Sequence, residues 1–284
     1  MTESLQTTLV LGGTGRTGSL LAKRLIERGR NARTAARHGG DVPFDWDNPA
    51  THADALRGVD SLYLVTPVMR VAYADQVAAF LDLAEAVGVR HVTYLSTYGV
   101  DGVPPQIDIK AVEADLAART TLAHSVVRPA WVMQNFADDH LPVINGTITV
   151  PTGSGAEAFV DAADIAAVAA ETLLAPEIHA GAVYAPTGPQ ALTVGEVADI
   201  ITAVTGQPVT HQDLALEAWI GGAVAAGIVP ADYAVMLRWL TSTIVTGHGS
   251  TPNDDIEKVT GQKATTFREF AQRNAHVWTT TAAE

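Results

Sequence analysis

The stretch Thr7–Arg24, TTLVLGGTGRTGSLLAKR, decides the fold of this chain. It begins with a short apolar and β-branched run, Thr7–Leu11, which is typical of a buried strand. Glycines follow at positions 12, 13, 15 and 18, and then a helical pattern with leucines on one face. A strand, a glycine-rich turn and a helix form a phosphate cradle, because the first N–H groups of the helix are unpaired and carry a partial positive charge. We therefore expect a pyrophosphate-containing cofactor here, although the spacing is G-x-x-G-x-x-G rather than G-x-G-x-x-G.

Length and composition fit a soluble, enzyme-sized protein. The 284 residues are enough for one large α/β domain, alone or with a smaller cap. Eighteen basic against thirty-one acidic side chains give a formal charge of −13, which argues against nucleic acid as a partner. The absence of cysteine excludes disulfides and thiol catalysis, and the scattered histidines predict no metal site. No signal peptide and no membrane span are predicted, so we expect a cytoplasmic protein without a membrane partner.

Predicted strands alternate with helical patterns through the first half of the chain. The strands are expected at Thr7–Leu11, Asn31–Arg37, Val42–Asp45, Ser61–Thr66, His91–Ser96 and His124–Arg128. This rhythm predicts an α/β fold with a Rossmann-type, doubly wound parallel sheet. We expect residues 1–150 to form the cofactor-binding domain, with 156–175 returning to it. Residues 176–284 are expected to form a smaller, mostly helical lobe that covers the substrate, with capping boxes at Thr193/Glu196 and Thr266/Glu269.

The residue after the second strand predicts which dinucleotide binds. An acidic residue there holds the ribose hydroxyl of NAD, whereas an arginine accommodates the phosphate of NADP. Here Arg37 occupies the position, and the first acid after it is Asp41. Arg16 in the glycine loop is a second candidate for the same phosphate. We therefore favour NADP(H) over NAD(H).

Ligands of doubly wound folds lie at the carboxyl ends of the strands. The residues expected there are Thr66 and Pro67, then Ser96, Thr97 and Tyr98. Lys110, on the following helix, adds a basic group, although a helix lysine is also commonly a solvated surface residue. Trp219, Trp239 and Leu237 lie at helical spacings and predict packing within the smaller lobe, with one of them free to face a substrate.

Several segments together resemble the NmrA-like family of atypical short-chain dehydrogenases/reductases. They are GGTGRTG, YLVTPV, YLSTYG, DIKAVEADL, VVRPAWVMQNF and TGQKATTFREFAQRN, which are distributed over nearly the whole chain. Within the family, the segment FDWDNPATHADALRGVDSLYLVTPV is most similar to the ergot-alkaloid (agroclavine dehydrogenase-like) branch and its bacterial relatives.

The resemblance implies an NADPH-dependent reductase acting on a hydrophobic small molecule that carries a carbonyl, imine, iminium or quinone group. It implies that the cofactor contacts Gly12, Thr14, Gly15, Arg16, Thr17, Gly18, Arg37, Thr66, Pro67, Ser96, Lys110 and Arg128. It places Tyr98, Trp131 and Asn135 against the substrate, with Lys110 and Tyr98 as the catalytic residues. A monomer or a homodimer is expected.

One position departs from the pattern of the superfamily. Its ordinary members carry a tyrosine four residues before the lysine, and here that residue is Gln106. Tyr98 or Lys110 could supply the proton instead, and an iminium substrate would need none. Other members of the family do not catalyse a reaction and sense the redox state of the cofactor, so a regulatory NADP(H)-binding protein is the alternative.

Overall fold

The computed structural model describes residues 6–138 and 140–279. The strands are β1 (Thr7–Leu11), β2 (Asn31–Ala36), β3 (Val42–Pro43), β4 (Ser61–Leu64), β5 (His91–Leu95), β6 (Ala123–Val127), β7 (Val143–Ile144), β8 (Thr147–Thr149), β9 (Ala156–Glu157), β10 (Val183–Tyr184), β11 (Leu192–Thr193) and β12 (Thr210–Gln212). The α-helices are α1 (Arg16–Glu27), α2 (His52–Ala55), α3 (Ala74–Ala86), α4 (Asp108–Ala118), α5 (Ala162–Leu174), α6 (Pro176–His179), α7 (Val194–Thr205), α8 (Leu216–Ala225), α9 (Ala234–Val245), α10 (Asp255–Thr260) and α11 (Phe267–Thr279).

The main sheet contains seven parallel strands in the order β10-β6-β5-β4-β1-β2-β3. From β3 to β6 this is the 3-2-1-4-5-6 order of a dinucleotide-binding fold, so the predicted fold class is confirmed. The chain reverses its direction of winding between β1 and β4, and a crevice opens where their carboxyl ends diverge. The glycine loop after β1 and the segment after β4 border that crevice.

Helices cover both faces of the sheet because its central strands are apolar on both sides. On one face, Leu21 and Leu25 of α1 pack with Ala166 and Leu173 of α5. On the other, α2, α3 and α4 contribute a second core that includes Phe80 and Leu116. Helix α5 therefore packs on the main sheet. Its N-cap is Asp161, whose side chain accepts a hydrogen bond from the Ala163 N–H.

The second lobe has its own core, built around Phe136, Phe159, Ile201, Phe267 and Phe270. Both predicted capping boxes are present, at the first residues of α7 and α11. Two small sheets, β12-β8-β7 and β11-β9, border this lobe.

The sequence-based boundaries differ from the structure in a few places. Strand β10 joins the main sheet, although it lies in the segment expected for the smaller lobe, whereas β7 and β8 pair with β12 outside that sheet. Helix α9 is preceded by a 3₁₀ turn at Ala231–Tyr233. Of the described helices, none is both long and apolar enough to cross a membrane.

Candidate active site

The glycines of the first loop have different physical roles. Gly12 has φ +62°, a conformation that residues with a Cβ rarely adopt. A Cβ on Gly18 would lie 2.2 Å from the Gly12 carbonyl oxygen, and one on Gly13 would lie 2.5 Å from the Thr34 side chain. These reasons lie within the protein: Gly12 is glycine because of its backbone conformation, Gly13 because the loop packs on β2, and Gly18 because the helix packs on the loop. A Cβ on Gly15 has one close neighbour, the Gly12 carbonyl oxygen at 3.1 Å, and Gly15 lines a cavity.

The N-terminus of α1 faces this cavity without a competing anion. Gly15 is the N-cap, no side chain caps the helix, and the first turn contains no acidic residue. The unpaired N–H groups of such a turn bind anions, because they combine hydrogen-bond donors with the positive end of the helix dipole. The turn is therefore suited to a pyrophosphate.

The smaller cavity has a volume of about 400 Å³ and lies at the carboxyl ends of β1, β2 and β4. The predicted cofactor residues that line it are Gly12, Thr14, Gly15, Arg37, Thr66 and Pro67. The Arg37 side chain is exposed and forms no ion pair with the described residues. The nearby acid Asp41 accepts hydrogen bonds from the Thr34 N–H and hydroxyl, which lower the pKa of its carboxyl. Asp41 is therefore engaged with the strand and does not line the cavity.

Two carboxylates in the smaller cavity were not predicted. Asp45 and Asp47 follow β3, and the Asp47 carboxylate pairs with Arg70, whose hydrogen bond lowers the pKa of Asp47. The Trp46 ring between them packs edge-on against Phe44. No local signal marked these residues, because their side of the cavity forms only when the loop after β3 meets the loop after β4.

The larger cavity has a volume of about 820 Å³ and extends from the sheet into the second lobe. The predicted residues that line it are Thr17, Ser96, Tyr98, Trp131 and Asn135. Its other walls are mostly apolar and include Trp219, Leu237 and Leu240. Val68 lines both cavities. At the N-terminal end of α1, Gly15 lines the smaller cavity and Thr17 lines the larger one. The two cavities therefore adjoin at the N-terminus of α1.

Lys110 and Arg128 line neither cavity. Arg128 forms a hydrogen-bonded ion pair with Glu113 and contacts both carboxylate oxygens of Asp101 at 2.8 Å. The Lys110 ammonium lies 3.6 Å from the same Asp101, and the Ser96 hydroxyl donates to Glu113 at 2.6 Å. These contacts connect α4 to the ends of β5 and β6. Gln106 precedes α4 in an exposed turn and is also absent from both cavity walls.

Arg16 contacts the segment after β6 and not the adenosine side of the crevice. Its guanidinium donates to the Asn135 amide oxygen at 2.8 Å, pairs with Asp138 and contacts the His140 ring. Arg16 and Arg37 are therefore directed to different parts of the site. Gly18, also predicted to contact the cofactor, packs on the loop. Within the described residues, no cluster of three or more acidic or histidine side chains is arranged to hold a metal.

Glu157 on β9 is a wall residue of the larger cavity that sequence reasoning missed. The residue is 1% exposed, and burial raises the pKa of its carboxyl to about 7. The Trp131 N–H donates to Oε1 at 3.3 Å, and this hydrogen bond lowers the pKa, against the larger effect of burial. The TGSG segment just before it is typical of a loop, and the local sequence offered no signal for a buried acid.

Comparison with known proteins identifies relatives over almost the whole chain. The model of the NmrA-like family matches residues 4–275. The oxidoreductase YesF of Bacillus subtilis is 34% identical, over 95% of this chain and 96% of its own length. Agroclavine dehydrogenase of Claviceps fusiformis is 30% identical (96% and 98%), and NAD(P)H azoreductase of Xenophilus azovorans is 32% identical (94% and 97%).

Among solved structures, a similar fold occurs in triphenylmethane reductase of Citrobacter sp. in complex with NADP(H). The TM-score is 0.70 at 24% identity, over 95% of this chain and 100% of that chain. The similarity extends through the main sheet and the second lobe. The predicted resemblance, including the ergot-alkaloid branch and the bacterial oxidoreductases, is confirmed by these matches.

Proposed function

The chain belongs to the NmrA-like family, and from that premise we propose that it is an NADPH-dependent reductase. Its substrate is a hydrophobic small molecule with a carbonyl, imine, iminium or quinone group, which accepts hydride from the nicotinamide. The observation that carries the proposal is the pair of adjoining cavities, one charged and bordered by a helix N-terminus, the other large and mostly apolar. A dinucleotide that lies across their junction brings its nicotinamide to the apolar one.

The smaller cavity supports the choice of NADPH. The N-terminal turn of α1 receives the pyrophosphate, and the unpaired Arg37 guanidinium receives the phosphate on the adenosine ribose. Thr66 and Pro67 border the ribose positions. The relative named NAD(P)H azoreductase agrees with this class of cofactor.

The larger cavity supports a hydrophobic substrate. Trp131, Trp219 and Tyr98 offer aromatic surfaces, and Asn135 offers an amide at the same wall. Two relatives are named agroclavine dehydrogenase and NAD(P)H azoreductase. Among the candidate substrates of this protein, these names favour nitrogen-containing aromatic compounds. We propose that the Lys110 ammonium contacts the nicotinamide ribose. It can do so once the cofactor takes the place of Asp101, its exposed ion-pair partner.

A screen of NADPH oxidation tests this proposal directly. The purified protein is mixed with NADPH and, in turn, with aromatic aldehydes, quinones, cyclic imines and azo compounds, and the loss of nicotinamide absorbance is followed. We expect turnover with at least one class, and faster turnover with NADPH than with NADH. Absence of turnover, together with different affinities for NADPH and NADP⁺, would favour the redox-sensing alternative.

Two further expectations accompany the proposal. The protein is expected to be a monomer or a homodimer, which light scattering after size-exclusion chromatography measures. A cytoplasmic location stays a prediction from the sequence, and fractionation of cells that express the protein tests it.

A further inference from the structure

The reduction of a carbonyl or a neutral imine requires a proton. Of the positions expected to supply it, Tyr98 borders the larger cavity, whereas positions 106 and 110 do not. Gln106 replaces the usual tyrosine, and both Gln106 and Lys110 are absent from the cavity wall. The ionisable side chains that do line this cavity are Tyr98, His140, Glu157 and Tyr233. His140 is engaged with Arg16 and Asp138.

Glu157 differs from the other candidates because its carboxyl is incompletely partnered. Four buried side-chain polar atoms in the described part of the chain have no hydrogen-bond partner, and they belong to His91, Tyr94, Thr152 and Glu157. Of these residues, Glu157 is the one that lines either cavity, and its free atom is Oε2. A buried polar atom without a partner is costly, so in a native protein it requires an explanation, and a catalytic role is one.

The environment of Glu157 favours the neutral acid. No described cation forms an ion pair with it, and the elements packed on β9 carry few charged groups. Glu196, beside β11, is used in the capping box of α7, and Arg238 of α9 pairs with Glu217. His248, next to Gly249, packs its ring against Tyr98. An isolated carboxyl in such surroundings keeps its proton to higher pH than usual.

The position of the carboxyl is fixed by contacts on two sides. The Trp131 N–H holds Oε1, and the Trp131 indole N–H donates to the Thr243 hydroxyl at 3.3 Å. On the other side Gly249 leaves room for the carboxyl, since a Cβ at this position would lie 2.2 Å from both oxygens. The Ala158 N–H holds the Gly249 carbonyl at 2.9 Å. Oε2 is therefore left as the carboxyl oxygen without a hydrogen-bond partner.

We propose that Glu157 is the proton donor of this reductase, acting on the oxygen of a carbonyl or the nitrogen of a neutral imine in the larger cavity. The inference rests on the proposed function and narrows its substrate class. Hydride from the reduced nicotinamide forms the new C–H bond, and the π electron pair of the carbonyl moves to oxygen. That oxygen takes the proton from Oε2, which leaves Glu157 as a carboxylate and the cofactor as NADP⁺. Water then returns a proton to Glu157.

The decisive comparison uses two probe substrates, naphthaldehyde and an N-methyl dihydroisoquinolinium salt. The aldehyde needs a proton, whereas the iminium accepts hydride without one. We expect Glu157→Gln to reduce kcat for the aldehyde by about 10²–10⁴-fold, the usual range for a lost general acid, and to change KM for NADPH little. The same variant should reduce the iminium salt within about threefold of the parent rate. The parent rate with the aldehyde should fall as the pH rises above 7, and this dependence should disappear in the variant.

A second pair of variants tests the position of the carboxyl without removing it. Gly249→Ala places a methyl group against both oxygens and should lower aldehyde reduction while leaving the iminium reaction intact. The control is Gly195→Ala, because a Cβ there has one neighbour, the Thr193 hydroxyl at 3.8 Å. It should leave both reactions unchanged.

Two measurements need no substrate. Carboxyl ¹³C NMR titrations of the parent and of Glu157→Gln should differ by one group. That group should titrate with a midpoint near pH 7, as the raised pKa of Glu157 requires. Because the folded pKa is raised, the stability from the neutral acid is present below about pH 4.5 and is lost as the pH rises through about 7. The Tm of the parent should therefore fall between pH 5 and 8 relative to that of Glu157→Gln.

The outcomes separate the two proposals. Turnover of the aldehyde that Glu157→Gln leaves unchanged, or a carboxyl midpoint near the ordinary value, overturns the role of Glu157 and leaves the reductase in place. A larger loss with the iminium salt than with the aldehyde also overturns it, because Glu157 would then be the counter-ion of a cationic substrate. No turnover of any carbonyl, imine, azo or quinone probe by the parent protein overturns the reductase, and the proton donor with it.

Discussion

The two cavities of the site differ in how much of the chain contributes to them. The smaller one is lined by residues between Leu11 and Arg70, whereas the lining of the larger one runs from Thr17 to Thr243. The smaller cavity contains several charged side chains, and the larger one is mostly apolar with Glu157 buried in its wall. A local, charged surface suits a cofactor that is the same for every member of a family. A surface assembled from both lobes can change with the substrate while the cofactor site is kept.

The largest effect is expected at the glycine loop. Gly15→Val places a branched side chain where the pyrophosphate approaches the helix end, so at least two charge-assisted hydrogen bonds are lost. Each contributes about 1.5–3 kcal/mol, so NADPH affinity should fall by roughly 10²–10⁴-fold, as measured by calorimetry. The Tm should change little, since a Cβ at Gly15 has a single close neighbour.

Gly18→Ala is the matched variant for the loop itself. Its Cβ would meet the Gly12 backbone at 2.2 Å, so the loop or the helix must shift. We expect a loss of stability of about 1–3 kcal/mol. If the Gly15→Val variant binds NADPH with normal affinity, the loop is a structural turn only. The assignment of one cavity to the cofactor and the other to the substrate then no longer holds.

The next effect concerns Lys110, which lines neither cavity and pairs with Asp101. If the ammonium holds the nicotinamide ribose, Lys110→Met should lower kcat about 100-fold through misplacement of the reacting carbon, and NADPH affinity only modestly. Lys110→Arg, which keeps the charge, should recover part of the loss. Asp101→Asn removes the 3.6 Å ion pair but keeps the ammonium, so its kcat should stay near that of the parent. Equal losses in Lys110→Met and Asp101→Asn would show that the ion pair is structural.

A smaller effect is expected from Arg37. One charge-assisted hydrogen bond to a phosphate contributes about 1.5–3 kcal/mol, so Arg37→Ala should reduce the preference for NADPH over NADH by roughly ten- to a hundredfold. The paired calorimetric titrations of both cofactors measure it. Arg70→Ala is the comparison, because Arg70 lines the same cavity but is already paired with Asp47. If Arg70→Ala removes the preference and Arg37→Ala does not, the phosphate binds on the other side of the cavity.

Sequence reasoning predicted the fold because strand and helix patterns are local. It found all six leading strands, and each predicted end lies within two residues of the structure. The paired strands β9 and β11 were missed, because two residues carry no periodicity and are defined by the partner they meet. Strand β10 is equally short, and its place in the main sheet depends on its pairing with β6.

The candidate site shows the same limit. The predicted cofactor residues that line the smaller cavity follow β1, β2 and β4 directly, and a parallel sheet brings such ends together. Glu157 was not found, because its surroundings come from positions 131, 243 and 249, which no local pattern connects. The contact between Arg16 and Asn135 spans 119 residues and was equally invisible.

The smallest effect tests whether the two cavities act independently. The Trp219 indole N–H donates to the Thr149 carbonyl at 3.1 Å, so this ring joins α8 to β8 while it lines the larger cavity. Trp219→Phe keeps an aromatic wall but removes the donor, which should cost about 0.5–1.5 kcal/mol of stability. KM for a bulky aromatic substrate should rise about fivefold, because the wall moves and one ring is smaller. The Kd of NADPH should stay unchanged, because Trp219 lines the larger cavity and not the smaller one. A parallel loss of NADPH affinity would mean that the lobe carrying α8 also closes on the cofactor, and the two cavities would then be one site that the ligands assemble together.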